Sequence, residues 1–306
     1  MMDTTQITVG SFTFDALADG PEDGEVVLLL HGFPQTSRSW RDQIAALSSA
    51  GYRAVAPDQR GYSPGARPST VDDYALPELV GDVVGIADAL GTDRFHLVGH
   101  DWGGAVAWHV AGRHPERLRT LTVVSTPHPR ALFRAYRGEL GGDQAQRSSY
   151  IAAFREPDSQ DRFLENDAAV FRLLFDASGM PAGRADPYIA ALGTPEALGA
   201  ALNWYRAAAV EDAEGLGPIT VPTLYVWSTD DLALSREAAE ATAEFVDGPY
   251  SVAVLEGVSH WVAEHAPGRL NELLLDHLSS CSSSKGSTGG DGSPPGVNQR
   301  KGDVPC

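Results

Sequence analysis

Only two cysteines occur in the 306 residues, Cys281 and Cys306, both near the C-terminus. No disulfide framework can hold the body of the chain, and no cysteine-based zinc site is open to it. Cationic residues are scarce as well: 23 Lys and Arg stand against 41 Asp and Glu, a formal net charge of −18. Nucleic acid and anionic membrane surfaces attract stripes of Lys and Arg, so neither is expected as a partner, and the charge is read as serving solubility. Long apolar runs are also missing; none approaches the ~20 residues that cross a bilayer. Residues 1–10 carry no apolar stretch behind a basic start, so no secretory signal is expected and the thiol-poor body suits a reducing cytoplasm.

What is present describes a globular chain with ample core material, 42% hydrophobic and 21% charged, and a length that fits one α/β core carrying an insertion. Residues 7–15 alternate apolar and polar and are expected to form an opening strand, with 18–24 as the turn after it. Val26-Val27-Leu28-Leu29-Leu30 is an unbroken apolar run, as a parallel strand buried on both faces requires, and it ends at His31-Gly32-Phe33-Pro34. A helix over 40–47, a strand over 52–56, a loop over 57–62 and an amphipathic helix over 76–90 follow. The run Phe95-His96-Leu97-Val98 then ends in Gly99-His100-Asp101-Trp102-Gly103-Gly104 and an Ala-rich segment, which reads as strand, tight turn and helix. After a strand over 118–124 the alternation stops. Residues 129–216 have helical spacing and no strand-like run, hence an inserted helical lid. Strand and helix alternate again from Thr223, with strands over 223–227 and 251–255 and helices over 235–245 and 261–278. The expected architecture is α/β, a mostly parallel sheet flanked by helices, with the core in 1–128 and 217–280. Residues 281–306, rich in Ser, Gly and Pro without periodicity, are expected to be a disordered tail.

Asp101 stands at the tip of the tight turn. In the nucleophile elbow, Gly-x-Ser-x-Gly, the glycines let backbone pass closely and thrust the central side chain above the sheet. Here Gly99-His100-Asp101-Trp102-Gly103 puts a carboxylate in that place. A carboxylate attacking a carbonyl gives an unproductive anhydride, whereas attack on a saturated carbon gives an ester that water can cleave. The plainer role for such an Asp is to cap the helix beginning near Trp102. Two further strands end in reactive residues: Asp230-Asp231 follows Trp227, and His260 follows Leu255 through a short loop. Ligands collect at the carboxyl ends of strands in an open α/β sheet. Nucleophile, acid and histidine in this chain order is the order of the α/β-hydrolase fold. Of the other histidines, His31, His96, His100 and His109 fall in or beside core elements, whereas His114, His128, His265 and His277 suit surfaces.

The segments His31-Gly32-Phe33-Pro34, Trp40-Arg41-Asp42-Gln43-Ile44, the stretch from Gly51 to Tyr62, Gly99-His100-Asp101-Trp102-Gly103-Gly104 and Gly257-Val258-Ser259-His260-Trp261 resemble the α/β-hydrolase-fold epoxide hydrolases, over about residues 7–278. The resemblance implies Asp101 as nucleophile and His260 as the base that activates water. It implies Asp231 as the acid, because Ser228 followed by two residues and then Asp matches the family's acid loop; Asp230 is otherwise a solvated loop acid. The backbone N–H groups of Phe33 and Trp102 would form the oxyanion hole, and their side chains would wall the pocket. Tyr150 and Tyr205 resemble the two lid tyrosines that protonate the epoxide oxygen. The implied ligand is a small-molecule epoxide, with no metal or organic cofactor; assembly is left open, a homodimer included.

Haloalkane dehalogenases share the Asp-Trp pair and form the alternative. Many of them carry Asn where this chain has Phe33, and fluoroacetate dehalogenases carry Arg at the places of Trp102 and Ala105. An esterase needs Ser at position 101. A non-catalytic hydrolase-fold binding protein would leave Asp101, Asp231 and His260 without purpose.

Overall fold

The apolar runs become the strands of an eight-stranded sheet in a computed structural model, which describes residues 3–181 and 183–282. In chain order the strands are β1 (Asp3–Val9), β2 (Phe12–Asp19), β3 (Val26–Leu30), β4 (Arg53–Pro57), β5 (Phe95–His100), β6 (Leu118–Val124), β7 (Thr223–Asp230) and β8 (Tyr250–Ser259). Across the sheet they run β1-β2-β4-β3-β5-β6-β7-β8, antiparallel at the β1–β2 and β2–β4 pairs and parallel from β4 onward. From β3 the chain steps to one side, into β4, and then returns to the other side as β5. The order therefore reverses at β3, and the crevice between the ends of β3 and β5 is the switch point where such sheets bind ligands.

Helices α1 (Arg41–Ser49), α2 (Leu76–Ala89), α3 (Trp102–Arg113), α11 (Arg236–Ala241), α12 (Val262–His265) and α13 (Pro267–Ser282) belong to the sheet. Strand β3 shows why both faces must be covered. Val26, Leu28 and Leu30 join Val83, Ile86, Val106 and Val110 of α2 and α3 on one face, while Val27 and Leu29 join Ile44, Leu47, Leu270, Leu274 and Leu278 of α1 and α13 on the other. Alternate residues of a strand point to opposite faces, so a run apolar at every position needs a layer on each side.

The opening segment departs from the single strand expected over 7–15. It is a hairpin whose register pairs Val9 with Phe12 across Gly10-Ser11. The apolar alternation runs through Ile7 and Val9 and restarts at Phe12 and Phe14, and this change of phase is the mark of a two-residue turn. The last helix is also not continuous. It breaks between α12 and α13, where Ala266 leaves helical geometry (φ −130°, ψ 50°) ahead of Pro267, as a residue before proline does. Because α13 reaches Ser282, the tail expected over 281–306 begins inside a helix, and its remainder lies outside the described residues.

Between β6 and β7 the chain forms α4 (Pro129–Tyr136), α5 (Gln144–Arg147), α6 (Tyr150–Arg155), α7 (Ser159–Ala177), α8 (Asp186–Ala191), α9 (Pro195–Ala207) and α10 (Val210–Glu214). Within α7 the helix is interrupted at Asn166, Asp167 and Ala168, all left-handed with φ of 52°, 59° and 57°. One tie between insertion and core runs through Arg60 in the loop after β4. Its carbonyl accepts from Trp204 Nε1 of α9 at 2.8 Å, and its guanidinium forks onto Asp82 of α2 at 2.7 and 2.6 Å. No helix among the described residues is long and apolar enough to cross a membrane.

Both members of the Arg60–Asp82 fork are buried, and Glu78 is too exposed and too distant at 3.7 Å to replace the carboxylate. Removing one partner of a buried ion pair strands the other charge at a cost of about 3–5 kcal/mol. Asp82→Ala is expected to lower unfolding free energy by about that amount in urea titration, and a loss under about 1 kcal/mol would contradict the structural weight given to the fork.

Candidate active site

The end of β5 turns so sharply that Asp101 is held at φ 51°, ψ −121°, left-handed space that costs a non-glycine residue. The turn closes because Gly99 has no side chain; a Cβ there would overlap the carbonyl of Gly103. Thr126 Oγ1 donates to the Asp101 carbonyl at 2.7 Å and fixes the bend from the end of β6. Although Asp101 occupies the N-cap position of α3, its side chain makes no capping bond there. The carboxylate instead crosses the switch-point crevice. Oδ1 accepts from the Phe33 N–H at 2.8 Å, and the neighbouring Trp102 N–H also stabilises the anion. A Cβ at Gly32 would strike the Asp101 side chain, so this approach requires glycine after His31.

The other carboxylate oxygen, Oδ2, lies 3.7 Å from His260 Nε2. His260 follows β8, and its Nδ1 is 2.7 Å from Asp231 Oδ2 at the end of β7. A carboxylate only accepts, so Nδ1 carries a proton in either charge state of the ring, and Nε2 faces the nucleophile. Asp231 Oδ1 accepts from the N–H groups of Ala233 and Leu234 at 2.8 and 3.0 Å, which leaves this buried carboxylate fully partnered. Asp230, its neighbour, is exposed.

Burial opposes charge on the His260 imidazole, but Asp231, by charge and hydrogen bond, and then Asp101 outweigh it and lift the ring from 6.5 to about 9. Burial raises the Asp101 carboxyl, while His260 and the Trp102 and Phe33 N–H groups pull it back toward the anion.

Over these groups lies a cavity of about 180 Å³ whose lining includes Phe33, Asp101, Tyr150, Phe154, Tyr205 and His260. Tyr150 opens α6 and Tyr205 lies late in α9, with ring centroids 6.5 Å apart. Tyr205 is wedged edge-on between Phe33 and Trp102, at 5.3 and 5.0 Å. Both phenols are pushed above their ordinary value, first by burial; Asp101 adds to this in each case, and the two rings also act on one another. They remain protonated and can donate. All seven residues singled out in the sequence, Phe33, Asp101, Trp102, Tyr150, Tyr205, Asp231 and His260, are thus brought together at one crevice, but the Trp102 side chain does not wall the cavity as expected: its ring packs edge-on against Trp204 and Tyr205 and lines a separate cavity with Ala105 and Thr126.

Several supporting residues carry no sequence signal. The His260 carbonyl accepts from His100 Nε2 at 2.8 Å and Ser125 Oγ at 3.3 Å, and Tyr225 donates to the Ser125 carbonyl at 2.8 Å. His100 is the unspecified residue of the elbow motif, and only the fold brings it to a loop 160 positions away. Arg155 of α6 donates to the Tyr205 carbonyl at 2.8 Å, coupling the two tyrosine helices, while Arg147 donates to the Asp231 carbonyl at 2.6 Å. His128, expected at a surface, is buried, with its ring stacked on Phe245 at 4.8 Å. Among the described residues no group of three or more His, Cys, Asp or Glu could share a metal ion.

A profile of the α/β hydrolase fold matches residues 25–267. The chain is 37% identical over 278 residues to AB hydrolase superfamily protein YfhM of Bacillus subtilis, covering 89% of this chain and 96% of that one. It is 33% identical over 301 residues to epoxide hydrolase A of Mycobacterium tuberculosis, covering 85% and 92%. The crystal structure of Bacillus megaterium epoxide hydrolase in complex with an inhibitor superposes with a TM-score of 0.80 at 28% identity, covering 90% of this chain and 100% of that one.

Because the His260 value is raised, the charged imidazole stabilises the fold fully below pH 6.5 and loses that contribution as pH climbs through about 9. NMR titration of His260 is expected to find it charged at pH 7.5. In Asp231→Asn, burial goes largely unopposed and the midpoint falls well below 9; a midpoint that stays near 9 would contradict the role given to Asp231.

Proposed function

The chain belongs to the epoxide hydrolases of the α/β-hydrolase fold, and we propose that it converts an epoxide to a vicinal diol through a covalent ester on Asp101. The observation that carries this mechanism is the unequal holding of the two Asp101 oxygens. Oδ1 is engaged by the Phe33 N–H, while Oδ2 faces His260 and the cavity.

In the first step Oδ2 attacks an epoxide carbon, the ring C–O bond breaks, and the departing oxygen takes a proton from the Tyr150–Tyr205 pair. An alkoxide is strongly basic, so a phenol kept protonated by burial beside an anion is a suitable donor. Esterification also removes the negative charge of Asp101. That charge helps hold the proton on His260, so ester formation lowers the imidazole's affinity for it; the proton can return to the phenolate and leave His260 as a base. In the second step His260 takes a proton from water, whose oxygen adds to the ester carbonyl carbon. The oxyanion develops on Oδ1, where the Phe33 N–H receives it with support from the Trp102 N–H; on collapse the ester C–O bond breaks, the leaving oxygen takes the proton from His260 and departs as the diol, and the proton of the added oxygen passes to His260, restoring the carboxylate beside a charged imidazole. The Pro129–Glu214 helices then serve as the lid that brings the acid to the nucleophile, and the mostly apolar lining favours a small apolar epoxide.

A halide leaves as a weak base and needs no proton, so the phenols separate the two chemistries of this fold. Tyr150→Phe/Tyr205→Phe is expected to slow epoxide alkylation about 10²- to 10⁴-fold, the range for one positioned acid. Near wild-type ring opening by the double variant, or faster halide release than diol formation by wild type across matched haloalkanes and epoxides, would favour a dehalogenase.

A further inference from the structure

Glu264 is a carboxylate the mechanism does not use, and it is 4% exposed. It lies in α12, four positions after His260, and its oxygens are held by two different parts of the molecule. Oε1 accepts from the Tyr188 hydroxyl of α8, in the lid, and Oε2 accepts from Gln35 Nε2 at 2.5 Å. Gln35 ends the turn that begins at Gly32, closed by the Gln35 N–H donating to the Gly32 carbonyl at 2.9 Å, and that turn carries the Phe33 N–H. We infer that Glu264 is a positioning residue that clamps the lid and the oxyanion turn to the helix following His260, and that its ionised form holds the clamp closed. The inference deepens the epoxide hydrolase reading and rests on it.

Hydrogen-bond accounting shows why ionisation matters. As arranged, both Glu264 oxygens accept, which suits a carboxylate and makes both bonds charge-assisted. A protonated Glu264 must donate from one oxygen: toward Gln35 it meets the amide N–H, another donor, and toward Tyr188 it is accepted only if the phenol hydrogen turns away from the carboxylate, its hydrogen-bond acceptor in this structure. Gln35 Oε1 is buried without a hydrogen-bond partner. Turning the Gln35 amide over would bring that oxygen to the proton, so the clamp has two arrangements: the ionised one, with two charge-assisted bonds, and a protonated one held by weaker neutral bonds. The charged or titratable groups around Glu264 are Tyr188 of α8, Arg184 just before it, and Arg41 and Asp42 of α1, with Arg184 and Asp42 paired at 3.1 Å. Burial raises Glu264, and the pull of Tyr188, Arg184 and Arg41 leaves it at about 7. Because the value is raised, the folded state binds the proton more tightly, and stability falls as pH rises from 4.5 through 7. A neutral glutamine would avoid that loss, so packing alone does not account for an acid here.

The test compares the full-length wild type with Glu264→Gln, which resembles the protonated state in shape and charge, and Tyr188→Phe. With styrene oxide as probe, the rate of adduct formation on Asp101 is followed by quench-flow mass spectrometry from pH 5.5 to 8.5; this half-reaction does not use His260 as base. The wild-type rate is expected to rise about tenfold through an inflection near pH 7, well within what misplacement remote from the chemistry can cost. Glu264→Gln should be flat at the wild-type low-pH value, and Tyr188→Phe should lose most of the rise. An inflection that persists in Glu264→Gln overturns the clamp. Hydrogen exchange needs no substrate and keeps the two readings apart: at pH 8, peptides covering 33–40 and 183–192 should both lose protection in Glu264→Gln. Unchanged protection in either segment overturns the clamp even if epoxides are turned over. Joint loss without any adduct in wild type supports the clamp and counts against styrene oxide as substrate.

Discussion

Everything in the crevice depends on keeping one half-buried carboxylate charged and turned to a fixed angle. Taking an ion out of water is costly unless hydrogen bonds and an opposite charge replace the solvent. At Asp101 the replacement is shared: the Phe33 N–H holds Oδ1, the His260 imidazole faces Oδ2, and the Trp102 N–H adds to the stabilisation of the anion. The same division fits both halves of the proposed reaction, since one oxygen stays available for attack while the other already sits where negative charge will later build.

The fold supplies that geometry by ending strands at one place. Phe33 follows β3 and Asp101 follows β5, its parallel neighbour across the switch point, while Asp231 and His260 come from the ends of β7 and β8. The strained turn at Asp101 is tolerated because surrounding strands over-determine it, with Thr126 and glycine-sized approaches on either side. The phenols come instead from helices, and Arg155 and Trp204 link those helices to each other and to the core. A site assembled from strand ends and helices in this way is held more closely than one built on loops alone.

Much of this could be read from the chain because the informative features are local. Runs apolar at every position, such as Val26–Leu30, are what strands covered on both faces require, and the elbow announces itself by glycines around a reactive residue. The resemblance selected Asp231 over Asp230 by its spacing from Ser228, and it is Asp231 that is buried against His260. The hairpin at Gly10-Ser11 was hidden because alternation continues on both sides of it, out of phase by one residue. His128 gave no local sign that Phe245, from a distant segment, would cover it. Supports such as His100 to the His260 carbonyl and Gln35 to Glu264 join positions 160 and 229 apart, and no short-range pattern encodes them.

The central claim is that an oxygen of Asp101 leaves in the diol and is replaced from water. A single turnover in H₂¹⁸O, with enzyme in excess over styrene oxide, tests this directly. The account predicts a first diol without ¹⁸O and label in the peptide containing Asp101, because water attacks the ester carbonyl rather than the substrate carbon. A first diol that carries ¹⁸O, with Asp101 unlabelled, would mean that water opens the ring itself and that no ester forms.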